Sequence, residues 1–215
     1  MPDTADILYI LKGSLVTLEY TTISLAFGIS IGLILALLKI SKKPYFVWPA
    51  NAYTSLFRGT PLLVQLSIVY FGFPYLLDYK ITAFFAGLVA FSLNSGAYLS
   101  ETLRAGIEAI DIGQYEAAKV LNIPYFFTMR DIILPQAFKN ILPALANESI
   151  SLLKETALIS TLGEEDLMRR AQLVAAEKYT YFGPLLIAAA GYYVMVLIIG
   201  FLFKRLERKF NYDPS

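Results

Sequence analysis

Two stretches of this chain leave it little choice of solvent. Residues 14–40 and 184–203 are long, almost uncharged apolar runs. A helix needs roughly 20 such residues to cross a hydrocarbon core. Three more stretches come close: 49–77, interrupted at Arg58-Gly59; 81–103; and 136–158, the least apolar. With 57% hydrophobic and only 16% charged residues, the chain suits lipid better than water. In lipid every backbone N–H and C=O must find its partner inside the protein. The expected fold is therefore an all-α integral membrane protein of one domain, 1–215, with five transmembrane helices.

The residue inventory removes several functions. There is no cysteine, hence no thiolate site, and no histidine, hence neither the commonest metal ligand nor the usual general base. A net charge of +1 gives no footprint for nucleic acid. No cofactor or metal site is expected. The amino-terminal run MPDTADILYILKG is acidic and lacks the basic region of a secretory signal, so the first apolar stretch is expected to stay as an anchor.

Lysine and arginine set the orientation. Lys39, Lys42 and Lys43 follow the first span. Arg104, Lys119, Arg130 and Lys139 surround the loop after the third, and Lys204, Arg205, Arg208 and Lys209 follow the fifth. The three clusters share one side only with five spans, amino terminus out and carboxyl terminus in. The opposite side holds fewer cations near span ends: Lys12, Lys80 and a mixed stretch with Arg169, Arg170 and Lys178. There, residues 160–182 are too polar to cross, yet Leu167, Ala171, Val174 and Ala175 recur at helical spacing. That pattern predicts a short amphipathic helix at the outer interface, either a gate or packing that shields the bundle.

On the inner side, 105–135 is a polar interruption between apolar spans. Tyr115, Ala118 and Leu121 repeat on one face over 112–121, with Glu116 and Lys119 as an i,i+3 pair. Asn122 suits the left-handed end of that helix, and Pro124 blocks its continuation. A second short helical stretch is expected over 125–133, and Pro135 fits the first turn of the fourth span. The result is a helix–turn–helix knuckle presenting alanines, a tyrosine and aromatics to the cytoplasm. Read from physics alone, it could equally be a hairpin lying on headgroups.

The knuckle resembles the EAA loop of ABC-importer permeases: Glu116-Ala117-Ala118 is followed at the family's spacing by Ile132-Ile133-Leu134-Pro135, with Asn122 in place of the family's glycine. The stretches FRGTPLLVQ from Phe57, AYLSETLRAGI from Ala97 and KETAL from Lys154 are similar to those of the polar amino-acid permeases, which handle histidine, glutamine, glutamate, arginine and opines. This resemblance implies a type I ABC importer architecture in a bacterial cytoplasmic (inner) membrane. It implies two copies of a separate ATPase subunit that bind ATP and Mg, a second permease copy or homologue, and a periplasmic or lipid-anchored solute-binding protein. It also makes 112–121 a coupling helix seated in the ATPase, with Glu116 anchoring its turn and Tyr115, Ala117, Ala118, Asn122 and Pro135 shaping it. The chain has no GxxxxGK[ST] phosphate loop, as a subunit powered from outside requires.

Ionisable groups inside a span are expensive and thus candidates for the substrate path. Glu148, Ser151 and Glu155 share one helix face at i, i+3, i+7, and Asn94, Tyr98 and Glu101 share another at i, i+4, i+7. Any free amino acid brings one ammonium, and a second acidic group argues for a cationic side chain, favouring arginine, lysine or histidine over glutamine or glutamate. Glu164, Glu165 and Asp166 could complete an acidic outer mouth, and Thr60 could cap a helix restarting at Pro61, where free N–H groups favour a carboxylate. Each has a plainer reading. Glu101 can pair with Arg104, Glu155 with Lys154, Asn94 can bridge helices, Arg58 can reach headgroups, and the acidic trio can be a solvated helix start. An ion-coupled transporter is the competing function, but it leaves the knuckle unexplained and no inverted repeat is visible. An intramembrane hydrolase lacks any nucleophile–base pair at workable spacing.

Overall fold

The structure is a computed structural model that describes residues 2–41 and 43–210, with Leu77 described by its backbone only. Lys42, counted above in the first basic cluster, lies outside the described residues. Among the described residues all regular structure is helical.

Helix α1, Thr4–Ile40, begins on a capping box in which Asp3 and Asp6 each accept the other's backbone N–H at 2.9 Å. The helix thus begins ten residues before the expected start of the span at residue 14. Gly13 sits inside the helix, where another backbone crosses: a Cβ at Gly13 would lie 2.7 Å from the Asp166 carbonyl and Leu167 Cα. At 1.5 Å per residue, α1 is about 55 Å long, well beyond the ~30 Å hydrocarbon core. Its amino-terminal turns therefore have length to spare for packing against the outer segment.

The second apolar stretch is two bodies. Helix α2, Pro44–Gly59, meets α3, Leu62–Ser67, at 102°. The chain then widens into a π-helical turn, Ile68–Gly72, and ends in α4, Phe73–Leu77. Helix α5, Ala83–Glu108, capped by Thr82 accepting from Phe85 N, is the central and most buried long helix. It packs along α1 at short range: a Cβ on Gly96 of α5 would lie 2.6 Å from Ile31 Cγ2, and one on Gly28 of α1 would lie 2.9 Å from Ser95 Oγ. Small residues at such a seam replace the hydrophobic drive that lipid does not provide.

Helix α6, Ile112–Val120, is followed by a continuous helical path of changing gauge. It runs through α7, Tyr125–Phe127, a π-helical turn, Thr128–Ile133, α8, Leu134–Glu155, and a 3₁₀ stretch, Thr156–Leu162. The expected separate helix over 125–133 and span over 136–158 are corrected to this single path. Both π turns end two residues before a proline, Pro74 and Pro135. A proline has no N–H and its ring crowds the carbonyl four residues back, and an i→i+5 turn relieves that crowding without ending the helix. Beyond Gly163, at φ +89°, α9, Leu167–Glu177, leads to α10, Phe182–Phe210. Pro184, Ala188, Gly191 and Met195 form its one narrow buried seam, and the rest of α10 presents apolar side chains outward.

Helices α1, α5 and α10 are each long and apolar enough to cross a membrane, and the bent α2–α3 pair passes only when taken as one broken span. Helix α8, about 33 Å long at its 22 residues, carries Lys139, Glu148, Lys154 and Glu155 and is not apolar enough to cross on composition.

The crossing at Gly13 yields the first prediction. Gly13→Ala forces α9 off α1 and lowers thermal stability in detergent by about 1–3 kcal/mol, whereas Gly200→Ala, where a Cβ meets nothing within 4 Å, leaves it unchanged or slightly raised. Equal melting temperatures for the two variants would contradict the close crossing.

Candidate functional site

The break between α2 and α3 frees backbone carbonyls that no helix satisfies, and two side-chain amides take them up. Gln65 Nε2 donates to Phe57 O at 2.8 Å, Thr60 O at 3.0 Å and Thr60 Oγ1 at 2.9 Å. Asn94 Nδ2, from α5, donates to Phe57 O at 3.2 Å and Gln65 Oε1 at 3.0 Å. Asn94 thus bridges helices. Gln65, which the sequence reading passed over inside the FRGTPLLVQ stretch, organises the bend. The capping role expected of Thr60 is corrected: Pro61 holds the N-cap position of α3 without a side-chain bond, and Thr60 Oγ1 donates back to Leu56 O at 2.8 Å.

Beside the bend the surface is polar and open. Arg58, exposed at the end of α2, stacks over the Tyr98 ring at 5.2 Å rather than reaching away from the protein. The α8 stripe follows the expected periodicity, with Glu148, Ser151 and Glu155 all partly exposed on the same side. Glu148 lies within electrostatic range of Arg58 and Glu155 and close to Ser95, whose buried hydroxyl has no hydrogen-bond partner. Neither Glu148 nor Glu155 forms an ion pair among the described residues, Lys154 included. A Cβ on Gly59 would meet nothing within 4 Å, so the face is unfilled at the bend itself.

The remaining acidic candidates are committed elsewhere. Glu101 bonds Lys39 Nζ at 2.5 Å through one oxygen and Arg104 at 2.7 Å through the other. Lys39, counted from sequence among the basic residues that set orientation, is buried: it also donates to Thr54 Oγ1 at 2.9 Å and Ser100 Oγ at 3.3 Å. Asp166 is fully buried, capping α9 through Arg169 N at 2.8 Å and accepting from Tyr192 OH at 3.1 Å. Glu165 pairs with Arg170 at 3.3 Å and accepts from Tyr9 OH at 3.2 Å, leaving Glu164 as the partly exposed, unpaired member of the trio. The amphipathic segment itself is as expected: Leu167, Ala171, Val174 and Ala175 are the buried face of α9. Two ion pairs from Lys178 to Asp3 and Asp6, at 3.6 and 3.2 Å, pin its far end to α1.

The knuckle is a built turn. Asp111 Oδ1 accepts from Gly113 N at 2.6 Å to start α6. Asn122, at φ +53°, ends the helix in the left-handed conformation, with Ile123 N bonding Ala118 O at 2.9 Å. Two details depart from expectation. Ala118 faces inward at 2% exposure and Tyr115 packs on Ile107, Ile110 and Ile133, so Ala117, not Ala118, is the alanine on the surface. Glu116 and Lys119 are both exposed and form no ion pair with each other among the described residues, and Glu116 holds no turn within this chain; Asp111 does that work. Ile112, Val120, Leu121, Tyr125 and Phe126 are mostly exposed, an apolar patch on an otherwise polar loop.

Residues 28–212 match the family model described as the binding-protein-dependent transport system inner membrane component. The chain belongs to that family. It is 57% identical over 203 residues to a putative glutamine transport system permease protein of Rickettsia conorii, covering 94% of this chain and 93% of the relative. It is 53% identical over 201 residues to the arginine transport system permease protein of Bacillus subtilis, covering 94% and 92%. The solved structure of an amino acid ABC transporter with histidines superposes at a TM-score of 0.89 with 41% identity over 97% of this chain and 99% of that one. An inward-facing methionine ABC transporter, 19% identical at a TM-score of 0.82, shares the fold. The chain is thus an ABC permease subunit, a transport component and not an enzyme, and the ATPase is a separate subunit.

Burial raises the Asp166 carboxyl above its usual range, outweighing the hydrogen bonds that oppose it. A folded-state pKa above the unfolded one means the native state binds the proton more tightly, so this group's contribution to stability rises as pH falls. Asp166→Asn keeps an equally good N-cap while removing the buried charge. The melting temperature of the variant minus that of the permease itself should therefore be zero or positive near pH 8 and shrink toward about pH 5. A difference that grows more positive on acidification would contradict the assignment.

Proposed function

We propose that this permease is the membrane pathway of a bacterial inner-membrane importer for polar amino acids, with a preference for cationic ones. It works as a dimer of five-span subunits, amino termini out, in which α8 supplies the span that the other helices lack. Two such chains, or one with a homologue, place their bends and α8 faces toward a shared path. Two ATPase subunits grip the knuckles, and a solute-binding protein delivers substrate from outside.

The observation that carries the substrate class is the unpaired carboxylate pair Glu148 and Glu155 on one open face of α8. Lipid would penalise both charges, so the face belongs to an aqueous path or a partner. Arg58 on the same face is the cation for a substrate carboxylate, the two glutamates meet its ammonium groups, and Ser151 and Tyr98 line the approach. The arginine permease relative agrees with this reading. The glutamine relatives from Rickettsia favour a second one, in which a neutral side chain amide is carried and only the α-ammonium needs an acid.

ATP-dependent uptake by the reconstituted importer separates these readings. Glu148→Gln should depress arginine uptake about tenfold more than glutamine uptake, the value of one desolvated charge-assisted contact. Equal losses would support the glutamine reading, and uptake on a proton gradient without ATPase would remove the ABC mechanism. At the knuckle, Ala117→Trp adds bulk to an exposed position without touching the core. It should abolish co-purification with the ATPase while leaving the stability of the isolated permease within about 0.5 kcal/mol of the parent.

A further inference from the structure

The ammonium of Lys39 has three donors, and all three are used, by two other helices: Thr54 Oγ1 on α2, and Ser100 Oγ and Glu101 Oε1 on α5, while Lys39 itself belongs to α1. Its side chain is 3% exposed. From Glu101 the charges alternate along α5, through Arg104 at 2.7 Å to Glu108 at 2.6 Å. Glu108 is the last residue of α5, directly before the three-residue link, 109–111, that carries the chain into α6. A line of opposite charges thus runs from the start of the knuckle to the one buried cation that α1, α2 and α5 share.

The position of this node relative to the bend is what gives it a use. On α2, Arg58 follows Thr54 by four residues; on α5, Tyr98 precedes Glu101 by three. The Arg58–Tyr98 stack therefore sits one helical turn from the Thr54–Lys39–Glu101 node on both helices. The hydrogen bonds that hold α2 closer to the bend, Tyr53 OH to Leu93 O at 2.8 Å and Asn94 to Phe57 O, involve neutral groups. Lys39 is the charged contact of α2 among the described residues outside the Arg58 stack. Meanwhile a cavity of about 640 Å³, lined by Lys39, Ser41, Glu108, Ile112, Tyr115 and Tyr125, separates the end of α1 from α6. Beside that gap the end of α1 and α6 meet through apolar packing, Ile40 and Tyr115 lying on one cluster with Ile107, Ile110 and Ile133, whereas the charged route from the knuckle runs along α5.

We propose that Lys39 is a positioning residue for transport: it binds α1, α2 and α5 into one moving body, so that displacement of the knuckle reaches Arg58 and the bend. A buried ion that loses one partner is strongly destabilised, and the node therefore moves intact rather than shearing. This inference rests on the reading that an ATPase grips the knuckle.

The test uses the whole importer in proteoliposomes, with its ATPase subunits and binding protein, and measures substrate taken up per ATP hydrolysed. Lys39→Met keeps the unbranched apolar stem of the side chain and removes the charged end. Thr54→Val removes one acceptor with little change of shape and guards against a misfolded Lys39 variant. The uptake-to-ATP ratio should fall about tenfold in Lys39→Met, a typical size for coupling between sites, and by a smaller factor in Thr54→Val, with both variants still co-purifying with the ATPase. A node that serves only the fold would lower yield and melting temperature but leave the ratio of the assembled importer unchanged, and an unchanged ratio in Thr54→Val overturns the proposal. Failure of the unmodified permease to hold the ATPase would instead overturn the underlying reading, and that result is visible before any variant is measured.

Discussion

A helix that turns through a right angle in apolar surroundings strands its last carbonyls, and lipid offers them no donor. Two amides prevent this at the bend after Gly59. Gln65 folds back from the next helix and Asn94 reaches across from α5, so Phe57 O and Thr60 O are both satisfied and the geometry of the turn is fixed. The rest of the polar face depends on this arrangement. Without the bend, α2 would continue past Arg58 and neither the stack on Tyr98 nor the open space at Gly59 would exist. An expected cost, a broken helix, becomes a defined cleft because the donors come from side chains already committed to packing.

Burial alone does not mark function among the charged groups of this chain; saturation does. Glu101 and Asp166 are acids with every oxygen spoken for, one by Lys39 and Arg104, the other by a helix start and Tyr192. Glu148 and Glu155 are acids on a half-exposed helix face that form no ion pair among the described residues. A saturated buried charge fixes how helices meet, whereas an unsaturated one in a membrane helix needs water, a partner subunit or a ligand. The distinction separates residues that sequence spacing alone had grouped together.

What the sequence made legible was local or periodic. The four buried residues of α9 follow from spacing, since an amphipathic helix on a surface has only one face to hide. Asn122 in the left-handed region follows from the short list of residues that tolerate it. What it concealed was set by crossings between distant segments. Nothing in the sequence marks Gly13 as the place where the start of α9 crosses α1, and Lys39 is one of several lysines that set orientation until Thr54 and Ser100 are seen to surround it. The inward turn of Ala118 was hidden for the same reason, because α6 folds back on the π-helical turn Thr128–Ile133.

The knuckle illustrates how these levels combine. Its caps and left-handed turn make it self-sufficient as a fold, so Glu116 is not needed to hold it together. An exposed apolar patch of Ile112, Val120, Leu121, Tyr125 and Phe126, beside the exposed Glu116, is costly on a free surface and useful on a covered one. The same π turn that accommodates Pro135 joins this patch directly to α8, the helix that carries Glu148 and Glu155. A force applied at the patch therefore enters the bundle by two routes. One runs along the continuous helix to the acidic face, and the other through the ion pairs of α5 to Lys39, one turn from the bend and its arginine.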